Sequence, residues 1–115
     1  MASPTLSGPY SLTNAGVDRN VSRKTPGVYA LGKTRNNTFY VSYVGRSDDD
    51  VAGRLKQHIG NYPEFEFTYA TSPKDAFEKE CELYHDYGGQ NNPNHPARPA
   101  GSGWKCPRCK IFDRQ

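Results

Sequence analysis

The sequence predicts a small α/β domain of the α+β kind: a three-stranded, largely antiparallel sheet flanked by helices. Three observations carry this reading. The chain has 115 residues, one domain by the prior of roughly 100–200 residues each. Two runs of β-branched, apolar and aromatic residues, Val28–Leu31 and Thr38–Val44, flank a polar turn over residues 32–37 and read as a β-hairpin. A third run alternates Phe65, Phe67 and Tyr69 with Glu64, Glu66 and Thr68, as a half-buried strand does, and lies between two segments with helical spacing.

In order along the chain, residues 1–9 are small, polar and Pro-containing and are expected to be disordered. Residues 13–21 predict a short helix capped by Thr13 and weakened by Gly16. Pro26-Gly27 ends that lead-in before the hairpin, whose second strand is expected to carry Phe39, Val41 and Tyr43 on one face and Tyr40, Ser42 and Val44 on the other. Ser47-Asp48-Asp49-Asp50 then predicts a helix start, with Ser47 as cap and Asp50 at the capping-box position. Val51, Leu55, His58 and Ile59 follow at helical spacing, and Gly60-Asn61 closes the helix. Ser72-Pro73 with Asp75 opens a longer helix that runs to about Tyr87, before Gly88-Gly89. Ala76, Phe77, Glu80, Tyr84 and Tyr87 share its inner face; Glu78, Lys79, Glu82 and Asp86 take the outer one. The domain is bounded at residues 10–95, and residues 96–115 form a basic, Pro- and Gly-rich tail packed on it.

Composition excludes several classes. The longest apolar-leaning run, Phe39–Val44, is far short of the ~18 residues of a membrane span. The N-terminus has no basic-then-apolar secretory pattern, so the expected location is intracellular. Fourteen aromatic residues argue for a packed core. Charge is segregated beneath a net +3: residues 1–46 hold six basic residues and one acid, residues 47–89 four and ten, residues 90–115 five and one. The basic ends suit a polyanion, or else simply solvate separate faces.

Some residues stand out chemically. Glu80 sits among aromatics on the inner face of its helix and needs a metal, an arginine or a hydrogen-bond network there, unless it is a rim glutamate. Arg54 and His58 are i, i+4 neighbours at the edge of an apolar stripe, which by itself is ordinary helix surface. Their company is Tyr29 and Tyr43 near the hairpin ends and Gly45-Arg46 at the strand-to-helix turn. Such a set suits a phosphodiester: arginines neutralise phosphate, a carboxylate holds a hard cation, and a phenol or imidazole handles a proton.

Pro26-Gly27-Val28-Tyr29 and Tyr43-Val44-Gly45 resemble the two signature triplets of the GIY-YIG nuclease family, and the ordered set of triplets, Arg54 and Glu80 extends the likeness over residues 26–95. The resemblance implies a three-stranded α/β fold and metal-dependent hydrolysis of DNA. It implies that Tyr29 accepts the proton of the attacking water, that Tyr43 helps position water and phosphate, and that Arg54 contacts the scissile phosphate. It places His58 at a position filled by His or Tyr, and makes Glu80 the ligand of Mg²⁺ or Mn²⁺. Gly45 and Gly27 match glycines that permit close backbone approach, and Asn94, with Asn92 as rival, matches an Asn that follows the second helix. Arg46 stands on the substrate side where many members have Lys, and being always protonated it cannot act as a base. Val28 and Val44 replace the eponymous isoleucines, and the interval from Tyr43 to Arg54 is one residue longer than in some members. So small a free-standing chain leaves specificity to its N-terminal lead-in, its tail, homodimerisation or a larger protein partner. Two other readings share the scaffold: a nucleic-acid-binding module without catalysis, and a zinc-stabilised interaction domain whose tyrosines are strand packing.

The cysteines add a second element. Cys106-Pro-Arg-Cys109 is a C-x-x-C knuckle, and Cys81 and His85 lie one helical turn apart. Together they offer Cys₃His, an ordinary structural zinc set, with His95 as an alternative fourth ligand. A redox pair at 106 and 109 beside a buried Cys81 is the competing reading. Trp104, among Lys105, Arg108 and Lys110, suits base stacking or a packing anchor for the tail.

Overall fold

A computed structural model describes residues 6–87, 96 and 102–107. The order is β1 (Ser7–Ser11), α1 (Asn14–Asn20), β2 (Gly27–Arg35), β3 (Thr38–Ser47), α2 (Val51–Lys56), β4 (Glu64–Tyr69) and α3 (Pro73–Tyr87). The strands form one antiparallel sheet in the order β1-β4-β2-β3. There are four strands rather than three, because Ser7–Ser11, expected to be disordered through residue 9, pairs with β4. Backbone hydrogen bonds need no apolar pattern, and Tyr10 supplies the anchor, its ring 5.6 Å from that of Phe65 and 6.3 Å from that of Phe67.

β2 is central and buried on both faces, which is why it reads Val-Tyr-Ala-Leu without alternation. Tyr29 and Leu31 face a core with Val17 of α1, Val51 and Leu55 of α2, and Phe65 and Phe67 of β4. Val28 and Ala30 face Val44 and, from α3, Ala76 and Leu83. The sheet is thus sandwiched, with α1 and α2 on one side and α3 on the other.

The hairpin is longer and its turn tighter than the sequence suggests. Asn36 and Asn37 alone form the turn, both at positive φ (53° and 64°), a conformation asparagine tolerates and a two-residue hairpin demands. The register slips between Leu31↔Tyr43 and Gly32↔Val41, leaving Ser42 as the extra residue of a bulge. Opposite it, a Cβ on Gly32 would run into the carbonyl oxygen of Tyr40. The bulge corrects the expected faces: Phe39 and Val41 join the α3 side, while Tyr43 joins the α2 side.

The helix starts differ in detail. Thr13 caps α1 as expected, accepting from Gly16 N at 2.9 Å, and Ser72 accepts from Asp75 N at 3.0 Å ahead of Pro73. The cap of α2 is Asp50, not Ser47, and it accepts from Gly53 N at 3.1 Å; Ser47 instead accepts from Asp50 N at 2.8 Å and shapes the loop. α2 stops at Lys56, and His58 lies on a tighter turn where its N–H reaches Leu55 O at 3.0 Å. On α3, Cys81 and Glu82 are buried as well as Glu80, while Tyr87 is exposed. The helix is covered on two sides, by the sheet and by residues 102–107, so its buried arc is wider than one face.

Candidate active site

β3 is an edge strand, and residues from both faces of the sheet meet around its end. An open pocket of about 370 Å³ there is lined by Tyr29, Tyr43, Gly45, Arg46, Asp48, Asp49, Arg54 and Glu80. Tyr29 and Tyr43 come from the α2 face, and Arg54 reaches in from α2. Glu80 comes from α3 on the opposite face.

Gly45 is where close approach is compulsory. It pairs with Tyr29 across the hairpin, and a Cβ there would lie 2.6 Å from both Tyr29 Oη and Cζ. The phenol lies over the bare backbone of Gly45 and is buried apart from its tip (2% exposed). Its Oη is 3.0 Å from His58 Nε2. Tyr43 packs on the same imidazole, with ring centroids 5.3 Å apart, and stacks on Tyr62 at 6.4 Å.

The electrostatics set this pair apart. Burial pushes the Tyr29 phenol well above the ordinary tyrosine value; Tyr43 and Glu80 add to this and Arg54 opposes it. Burial also raises Tyr43, Glu80 raises it further, and Arg54 again opposes. His58 moves the other way, lowered by burial and by the neighbouring Arg54 guanidinium. At neutral pH the phenol is therefore protonated and the imidazole neutral, so Tyr29 O–H can donate to Nε2 in the Nδ1–H tautomer.

Glu80 meets the requirement set by its buried position with an arginine. Arg46 Nη1 donates to Glu80 Oε1 at 2.6 Å, and its Nε donates to Asp48 Oδ1 at 3.0 Å. The guanidinium also stands over the Phe77 ring, 5.2 Å from its centroid. Burial works against the Arg46 charge, but Glu80 and Asp48 outweigh it and raise its pKa. Burial raises the Glu80 carboxyl, with Arg46 pulling against it. A carboxylate has about four lone-pair sites, and Arg46 takes one. A carboxylate lining an open polar pocket fits Mg²⁺ or Mn²⁺, which bind through one or two carboxylates and complete their shell with water and phosphate oxygens.

The pocket thus gathers Tyr29, Tyr43, Gly45, Arg46, Arg54 and Glu80, with His58 behind Tyr29. Arg46, expected on the substrate side, spends its guanidinium on Glu80 and Asp48. Asp48 and Asp49 were not foreseen in the site: their acidic run reads as helix capping, and only the pairing of Arg46 with Asp48 turns it inward. Tyr62 was missed too, for want of any pattern around it. Asn94, Asn92, His95 and Cys109 lie outside the described residues.

A second cluster sits behind α3. Cys106 Sγ is 3.3 Å from His85 Nε2, and the Cys81 thiol hydrogen-bonds with that of Cys106. Trp104 packs on Phe77 at 5.8 Å, so it serves as an anchor for this segment. Both cysteines are free thiols, and among the described residues no three His, Cys, Asp or Glu side chains form a ready-made metal cluster. No helix among the described residues is long and apolar enough to cross a membrane.

Comparison with family models, with characterised proteins and with solved structures finds no match.

Proposed function

We propose that this chain is a metal-dependent endonuclease that hydrolyses DNA phosphodiester bonds. The observation that carries the reading is the convergence, on one open polar pocket, of Tyr29 with His58 behind it, the exposed Arg54 and the buried Glu80. The resemblance of the Tyr29 and Tyr43 segments to GIY-YIG nucleases points the same way.

In this reading Tyr29 and His58 act as a relay. Tyr29 is too weak an acid to ionise alone, since burial holds its proton on. It passes that proton to neutral His58 as its oxygen takes one from the attacking water. The new bond runs from the water oxygen to phosphorus, the bond from phosphorus to the leaving oxygen breaks, and the leaving oxygen takes a proton from solvent. His58, half-buried and disfavoured as a cation, returns its proton to solvent. Arg54, exposed at the pocket wall, stabilises charge on the phosphate; such a contact acts most strongly in the transition state. Glu80 would hold Mg²⁺ or Mn²⁺, which when bound stabilises the negative charge of the leaving oxygen.

One observation favours a second reading, nucleic-acid binding without cleavage: Arg46 already neutralises Glu80. Plasmid and branched DNA incubated with the protein in Mg²⁺, Mn²⁺ or EDTA, beside Glu80→Ala, separates the two. Cleavage that needs the cation and disappears in the variant supports the nuclease. Salt-sensitive binding without cleavage supports the binding module, and neither activity refutes both.

A further inference from the structure

The cluster behind α3 takes no part in the pocket, yet it joins residues 102–107 to the helix that carries Glu80. Cys81 follows Glu80 directly, and His85 lies one turn beyond on the same side of the helix. Cys106 is buried against both, with Trp104 on Phe77 fixing its approach.

We propose that Cys81, His85 and Cys106 hold a structural Zn²⁺ that clamps the C-terminal segment to α3. The donor set is two thiols and one imidazole, which suits zinc over hard cations. One ligand-to-ligand distance is close to what the ion requires. With Zn–S near 2.3 Å and Zn–N near 2.05 Å at tetrahedral angles, sulfur and nitrogen sit roughly 3.6 Å apart. Cys106 Sγ and His85 Nε2 are 3.3 Å apart, so the two need separate by only a few tenths of an ångström. Structural zinc sites contribute directly to folding stability, and a core this small gains from such a clamp.

The test reads metal, not cleavage, so it stands or falls apart from the nuclease reading. The full chain is purified under reducing conditions, and zinc is measured by plasma mass spectrometry for wild type and Cys106→Ser. The stripped wild-type chain is then titrated with Co²⁺. The expected result is ~1 zinc per chain in wild type, at least a tenfold loss in Cys106→Ser, and a thiolate-to-cobalt charge-transfer band with tetrahedral visible bands. The cobalt spectrum keeps the proposal testable if Cys106→Ser does not fold. Wild type without zinc and without that spectrum overturns the proposal, as does a folded Cys106→Ser that keeps its zinc.

Discussion

Replacing Gly45 by alanine puts one methyl group where the structure has none to spare. The new Cβ would sit 2.6 Å from Tyr29 Oη, whereas ordinary contact begins at 3.4 Å, so the phenol must retreat by roughly 0.8 Å or the strand must bend. Tyr29 shares a buried core cluster with Leu31, Leu55 and Phe67, so its ring has little room to swing. A displacement of that size takes the Oη–Nε2 pair off its 3.0 Å hydrogen-bond geometry. Overpacking of this kind costs about 1–3 kcal/mol, or a melting temperature lower by roughly 4–20 °C in a domain of this size. A misplacement near 1 Å at the relay also costs roughly 100-fold in cleavage rate. Thermal unfolding by circular dichroism and single-turnover cleavage under saturating protein read the two effects separately. A melting temperature within 1 °C of wild type, with cleavage intact, refutes the claim that Tyr29 is pinned over Gly45.

Other perturbations bear on the same site. The His58 pKa, followed by NMR of its ring protons, should lie below the ordinary ~6.5 and rise in Arg54→Gln, which removes one of its two causes. An unshifted value in wild type contradicts the buried, arginine-flanked placement. Because this folded-state pKa is depressed, the stability it contributes is full above pH ~6.5 and is lost as pH falls through the folded value; denaturant midpoints between pH 7 and 5 should drop less in His58→Gln. Arg46→Ala should cost about 3–5 kcal/mol by leaving Glu80 as an uncompensated buried charge, whereas Arg46→Met with Glu80→Leu should be close to neutral in urea unfolding. Equal losses in the single and double variants would show that packing on Phe77, not charge, sets the cost. Tyr29→Phe should lose only about 1 kcal/mol of stability yet at least ~100-fold in cleavage, a split that is absent if the tyrosine is mere strand packing.

Much of the fold and the site was legible because each part rests on local chemistry. The central strand is announced by an unbroken Val-Tyr-Ala-Leu, α3 by Ser-Pro with an acid two residues on, and Glu80 by a carboxylate spaced with aromatics. What was hidden depends on partners distant in sequence. β1 has one anchoring side chain, and its strand character comes from the open edge of β4. The bulge at Ser42 exchanges the faces of Phe39 and Val41 with no sign in the alternation, since only the register against β2 reveals it. Asp48 reads as a capping acid until Arg46, drawn across to Glu80, turns toward it. The partner of Glu80 lies 34 residues away, and no spacing rule reaches that far.

The central claim is that Tyr29 and His58 move one proton together. A double-mutant cycle on the single-turnover cleavage rate tests it most directly, with Tyr29→Phe, His58→Ala and the combined variant in Mn²⁺. Groups that act as a unit are non-additive. The expected result is a loss of at least ~100-fold in each single variant and no further loss in the double. Multiplying losses, near ~10⁴-fold in the double, or single variants that cleave as fast as wild type, would contradict it.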